Sequence, residues 1–328
     1  MKSKKFLKVF LYVVLGVAVL ACAITYFGGR YMLNLSLLPT TLAESRADFE
    51  TVKNEFDENH PELEVWVDTL KSKGLFTDLY KTMSSGERHH AYLIKNENPC
   101  GRIVIAIHGY GSCGHHLLGE AKMFYEDFGC HILIPDLHAH GYSEGEAVQM
   151  GWKDADDILE WIPFAEDTLQ DPAHETKMVV YGISMGAATT MNVSGKENLP
   201  PYIKGFIEDC GYTSVWDEFV WVAKRDYSAP SFPLLNVANR MSEKKYGWNF
   251  REASPLVSVS KSTLPILFIH GGNDDFVPTS MVYPLYEAKT EGYKEIWVAD
   301  GSAHAKSFSE HNEEYRSKVG SFLEKIGF

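Results

Sequence analysis

The chain has 328 residues, 45% of them hydrophobic and 23% charged, with 14 prolines and 26 glycines. That balance excludes a disordered or fibrous protein, and the length accommodates one large α/β domain with extras. Formal net charge is −13, and removing the +5 of Lys2, Lys4, Lys5, Lys8 and Arg30 leaves −18 for the remainder; so acidic a surface repels nucleic acid, and no nucleic-acid partner is expected.

The four lysines precede an uncharged run from Val9 to Gly29, closed by Arg30. As a helix this run would extend ~31 Å, enough for a ~30 Å hydrocarbon layer. With the lysines leading, residues 1–8 belong in the cytoplasm and the rest outside. The expectation is a single-pass membrane anchor over residues 1–30, with the domain that follows extracellular. Two alternatives exist. Ala21-Cys22-Ala23 resembles a signal-cleavage site, giving a secreted protein, and Val19-Leu20-Ala21-Cys22 loosely resembles a lipoprotein box. Against both, the apolar run continues through Ile24, Tyr26 and Phe27.

Residues 31–74 form an outer helical segment, polar from residue 40, with a break at Asn59-His60-Pro61. From residue 75 the pattern alternates. Phe76–Met83 and His90–Lys95 read as strands joined by a Ser-Ser-Gly turn. "GRIVIAIHG" is a buried strand, His115–Phe128 a helix, and "CHILIPD" another strand. Residues 152–169 have helical spacing interrupted by Pro163. "KMVVYGIS", "YIKGFIED", "LPILFIHGG" and "YKEIWVAD" are further strands, and Ala305–Ile326 is a closing helix. Continuous apolar strands alternating with helices predict a mostly parallel sheet covered on both faces, with the site at the strands' carboxyl ends. The five cysteines show no CxxC and no zinc spacing. Cys100 and Cys130 each precede an apolar run, and two free thiols are expected.

The pattern Gly-x-Ser-x-Gly occurs twice, as GYSEG at 141–145 and GISMG at 182–186. A nucleophile elbow needs strand, sharp turn, then helix. Ser184 has all three. Ser143 lies in a His- and Gly-rich loop with no clear helix after it and reads as part of a structural turn. A serine nucleophile needs a base, itself oriented by a carboxylate. His304 follows the last strand and precedes the closing helix. Asp274 and Asp275 stand together after "PILFIHGG", and Asp209 is an outside candidate. The oxyanion donors expected are the main-chain N–H groups of Met185, after the nucleophile, and Tyr110, in the loop after "IVIAI". His108 is expected to brace that loop.

HGYG, PDLHAHGYSEG, GISMG, HGGNDDFVP and the His304 loop, in this order, resemble the α/β-hydrolase superfamily over residues 75–328. The resemblance implies a central, mostly parallel sheet with helices on both faces and a helical cap inserted at about 213–260. Its HGxxDxxVP spacing singles out Asp274 as the acid. Leu137-His138-Ala139-His140-Gly141 departs from the family's usual Arg-Gly-His-Gly, in a loop that is structural there. "EDCGYTSVWDEF" and the anchor resemble membrane-anchored or secreted hydrolases of Gram-positive bacteria.

The expected function is a serine carboxylesterase acting on small apolar acyl or aryl esters, with no metal or organic cofactor. A peptidase or amidase of the same fold is the alternative, and a non-catalytic binding protein is a third reading. Nine aromatic residues fall between Tyr212 and Phe250, where the chain average of 13% would give about five. Most must glue the cap to the core, but Trp216 and Trp221 are expected to line the acyl pocket.

Overall fold

The structure, a computed structural model, describes residues 2–38 and 49–328. Its first helix, α1 (Lys2–Leu37), is 36 residues long and carries the apolar run. By length and hydropathy it can cross a membrane, and from Phe6 to Tyr31 its large apolar side chains are exposed. The helix does not stop at Arg30, where the anchor was expected to end. Two more turns continue to Leu37, and there Leu33 and Leu37 are buried in the main core. Part of the expected outer segment, residues 39–48, lies outside the described residues. The remainder forms α2 (Phe49–Asn59) and α3 (Pro61–Ser72), separated at His60, where proline at the first helical position restarts the chain.

Eight strands follow: β1 (Phe76–Thr82), β2 (Arg88–Ile94), β3 (Arg102–Ile107), β4 (His131–Pro135), β5 (Lys177–Ile183), β6 (Ile203–Asp209), β7 (Ile266–Gly271) and β8 (Lys294–Ala299). They form one sheet in the order β1-β2-β4-β3-β5-β6-β7-β8. β2 pairs antiparallel with β1 and β4, and the other pairings are parallel. The fully buried parallel strands are continuous apolar runs because both faces are covered. Alternation along β3 sends Ile103, Ile105 and Ile107 to one core layer and Val104 and Ala106 to the other.

The first layer holds α5 (Asp154–Leu169), α6 (Met185–Ser194) and the end of α1. The second is covered by α3, α4 (Leu118–Phe128) and α12 (Asn312–Lys325). α5 runs unbroken through Pro163, contrary to the expected interruption, since burial of Ile158, Trp161, Ile162 and Ala165 on one face holds both halves in line.

Between β6 and β7 lie α7 (Val215–Tyr227), α8 (Leu234–Tyr246) and the short α9 (Pro255–Val259). This region packs into the same layer as the end of α1. Consecutive glycines make the approach possible: a Cβ at Gly28 would sit 2.8 Å from Leu234 Cδ2, and one at Gly29 would sit 2.7 Å from Val237 Cγ1. After β7 and β8 come α10 (Val282–Ala288) and α11 (Ser307–Glu310).

Candidate active site

β3 pairs with β5 and β7 with β8, so the loops after these strands converge at the carboxyl edge of the sheet. Ser184 follows β5 and precedes α6, with φ 57° and ψ −115°. Side chains rarely adopt that region, and a tight strand-to-helix turn requires it here. The turn is held by the Ser184 N–H donating to the Asp209 carbonyl at 2.8 Å, and by the Ala188 N–H donating to the Ser184 carbonyl at 3.0 Å. A Cβ on Gly182 would meet Gly186 O at 2.2 Å, and one on Gly186 would meet Ile107 O at 2.1 Å. The two glycines therefore follow from the close crossing of strand and helix.

Ser143 is placed quite differently. Its buried hydroxyl donates to the Asp136 carbonyl at 2.6 Å and accepts the His90 N–H at 2.9 Å, tying the loop after β4 to β2.

His304, in the loop after β8, brings Nε2 to 2.9 Å from Ser184 Oγ and Nδ1 to 2.7 Å from Asp274 Oδ2. A carboxylate at Nδ1 fixes the proton there and leaves Nε2 to accept from the serine hydroxyl. The other Asp274 oxygen accepts the N–H groups of Phe276 and Val277, both at 3.0 Å. Buried His270, from β7, places Nε2 3.3 Å from Asp274 Oδ2 and 3.0 Å from the Val277 carbonyl. Asp275 is exposed, and Asp209 is buried with Oδ2 accepting the Tyr315 hydroxyl at 3.1 Å. Neither side chain meets His304.

Burial alone would raise the Asp274 pKa, but hydrogen bonds from His270 and His304 outweigh it and hold the carboxyl below its usual value. Its buried neighbours go the other way: burial pushes Asp209 up to about 6 and Glu208 to about 8. Asp274 is thus the carboxyl of this group that stays ionised most readily.

A cavity of about 310 Å³ opens beside Ser184. Tyr110, Met150, Tyr212, Glu218, Phe219, Val222, Tyr227 and Phe276 line it, together with Leu35 and Ser36 from α1. Trp216 and Trp221 do not, which corrects the sequence expectation. On α7 the lining residues Glu218, Phe219 and Val222 share a face, and at 100° per residue each tryptophan points roughly 110° away from it. Trp216 stacks instead under the Arg251 guanidinium, 3.3 Å from the ring centroid. Trp221 Nε1 donates to the Asp275 carbonyl at 2.8 Å, and Arg225 Nη1 donates to the same oxygen at 2.9 Å. This side of α7 pins the loop that carries Asp274. Glu218 carried no sequence signal. It is 4% exposed, neither carboxyl oxygen has a hydrogen-bond partner among the described residues, and burial pushes its pKa to about 8.

The loop after β3 presses on the serine, with a Cβ at Gly109 lying 3.3 Å from Ser184 Cβ. His108 braces this loop: its Nε2 accepts the Leu137 N–H at 2.9 Å, so Nδ1–H donates to the Gly109 carbonyl at 2.8 Å. Next in the loop, the Tyr110 hydroxyl donates to the Ser36 carbonyl of α1 at 3.0 Å. Met185 is the first residue of α6 and is buried against the cavity.

No family model matches the chain. The protein YqkD of Bacillus subtilis (strain 168), itself uncharacterized, is 27% identical over 283 residues, covering 86% of this chain and 89% of YqkD. The uncharacterized membrane protein YNL320W of Saccharomyces cerevisiae is 26% identical over 264 residues, covering 80% of this chain and 84% of its own. Among solved structures, the Pyrococcus furiosus esterase Pf2001 superposes with TM-score 0.63 at 23% identity, covering 78% of this chain and 93% of the esterase. The chain has the α/β-hydrolase fold.

Among the described residues of this α/β-hydrolase fold, two groups of side chains bring potential metal-ligand atoms within 4.8 Å of one another: Cys210 with Asp274 and His304, and Glu87 with His89 and His138. In the first, Asp274 and His304 already spend their facing atoms on each other. The second lies on the far side of the α/β-hydrolase sheet order, at β2, away from Ser184. Cys100 and Cys130 are free thiols, and the Cys100 thiol donates to the Gly129 carbonyl at 3.2 Å.

Proposed function

We propose that the protein is a serine hydrolase, a carboxylesterase for esters with a small apolar acyl or aryl group. The observation that carries this is the hydrogen-bonded series Ser184 Oγ, His304 Nε2, His304 Nδ1, Asp274 Oδ2, at 2.9 and 2.7 Å, on a serine held at φ 57°. Ser184 Oγ attacks the ester carbonyl as His304 takes its proton, and Asp274 steadies the imidazolium. The oxyanion sits between the main-chain N–H groups of Met185 and Tyr110, each worth about 3 kcal/mol of barrier. His304 then protonates the departing alcohol, and water, activated by the same histidine, releases the acid. The apolar rings beside Ser184 support an uncharged acyl group. With Val9–Gly29 as an anchor, the domain works at a membrane on the extracellular side, and the name of the yeast relative supports the membrane half of that reading.

The test is a fluorophosphonate label followed by a panel of p-nitrophenyl esters and aminoacyl amides. Labelling of Ser184 with ester turnover well above amide turnover is expected. Amide turnover dominating points to the peptidase reading, and no labelling points to a binding protein.

A further inference from the structure

A second apolar void of about 200 Å³ lies between α1 and the helices α7 and α8. Gly28, Tyr31 and Met32 of α1 wall it on one side, with Ala223, Leu234 and Ala238 on the other. Leu35, Ser36, Phe219, Val222 and Tyr227 line both this groove and the Ser184 cavity. The two voids therefore adjoin across these side chains, and Ser184 borders the inner one.

The outer void is lined by Gly28 and Tyr31, where the apolar run of α1 gives way to Arg30. Tyr26, Phe27 and Tyr31 are exposed there at 50%, 65% and 65%. Opposite them, the stretch 227–239 carries no charged residue, and its Tyr227 and Phe232 are 57% and 72% exposed. Exposed aromatic rings at the end of an apolar helix are the composition of a membrane interface. Among the described residues no basic side chain lines either void, and the chain beyond residue 30 carries a net charge of −18 once the first 30 residues' +5 is taken from −13. A phosphate would find no counter-charge inside and repulsion outside.

We propose that the two adjoining voids join into a passage that delivers a fatty-acyl ester of an uncharged alcohol from the bilayer to Ser184, with the acyl chain lying in the groove between α1, α7 and α8. This rests on the reading of Ser184 as an acyl-transfer nucleophile and extends its substrate from small groups to a membrane lipid. Each turnover consumes one water, breaks the acyl C–O bond, and yields a fatty acid and the neutral alcohol, the water supplying the acid's hydroxyl and the alcohol's proton. The groove supplies the reason for a helix that is both anchor and cavity wall: a long chain can reach Ser184 without crossing water, which strongly disfavours each exposed CH₂.

The experiment uses the full chain in nanodiscs. A diacylglycerol with a photoreactive diazirine in its chain is irradiated with the Ser184→Ala protein. Crosslinks within 28–36 and 219–238 are expected, and crosslinks confined to the outward face of α1 would overturn the proposal. In parallel, kcat/KM is measured for dodecanoyl and acetyl esters with wild type, Ala229→Trp and Met32→Trp, which fill the groove from opposite walls. The dodecanoyl-to-acetyl ratio should fall at least tenfold in both variants, and an unchanged ratio overturns the groove while leaving the esterase reading intact. Preference for a phosphatidylglycerol over the diacylglycerol overturns the uncharged headgroup. Absence of any Ser184-dependent labelling by fluorophosphonate defeats the esterase reading, and the crosslinking arm still decides the groove.

Discussion

A serine at φ 57° is held against its own backbone preference, and what holds it is the pair of main-chain bonds, its N–H to the Asp209 carbonyl and the Ala188 N–H to its carbonyl, together with two glycines that admit no Cβ. Ser184→Ala should therefore abolish fluorophosphonate labelling and ester turnover while leaving the melting temperature within a few degrees. Ser143→Ala should do the reverse. Turnover should survive, but loss of the hydroxyl leaves the buried His90 N–H without a partner, at a cost of about 2 kcal/mol, read from chemical denaturation. Glu218 gives a pH test. Its folded pKa, about 8, lies above the 4.5 of a free glutamate because burial disfavours the charge. Its neutral form thus supports the fold fully below about pH 4.5, and that support is lost as pH rises through 8. Glu218→Gln should melt higher than wild type at pH 9, with a smaller gap at pH 6; an equal gap at both would show that Glu218 does not titrate as described. The separation of Ser184 from Ser143 was legible in sequence, because strand, turn and helix are local patterns. Glu218 was not legible, since nothing in "VWDEFVW" says which face of a helix turns toward a serine 34 residues earlier.

At the level of elements, the strands and their order along the chain were readable from continuous apolar runs, and the carboxyl-edge rule placed His304 and the acid after the right strands. The division of labour on α7 was not. One face, with Glu218, Phe219 and Val222, borders the cavity, while Trp221 and Arg225 clamp the loop that carries Asp274. Composition counted the aromatics but could not orient them. The two faces predict separable phenotypes. Trp221→Phe removes one hydrogen bond to the Asp275 carbonyl and should lower kcat severalfold with an unchanged preference for acyl chain length. Phe219→Ala should shift that preference toward bulkier acyl groups. If Trp221→Phe altered the chain-length profile instead, the clamp would be the wrong account.

For the whole molecule, the largest departure from the sequence reading is that the apolar helix and the α/β domain are not separate bodies. The apolar run was legible from its length and its flanking lysines. Its continuation into the core was hidden, because Leu33 and Leu37 meet partners more than a hundred residues away. Burying each of these leucines is worth about 2 kcal/mol. A protein trimmed to residues 39–328 should therefore lose about 4 kcal/mol of stability and one wall of its cavity, and should melt lower than the detergent-solubilised full chain. Equal melting temperatures would show that α1 is dispensable to the fold. The contact between the Tyr110 hydroxyl and the Ser36 carbonyl has a further consequence. Ser36 lies six positions beyond Arg30 on the same helix, so with the run in a bilayer, as proposed, Ser184 is leashed at a fixed height, ~9 Å from the lipid boundary to that contact. An enzyme so leashed searches a plane and not a volume. With the proposed membrane ester as substrate, the rate follows its mole fraction in the surface, and diluting the lipid with inert detergent at constant bulk concentration should slow it.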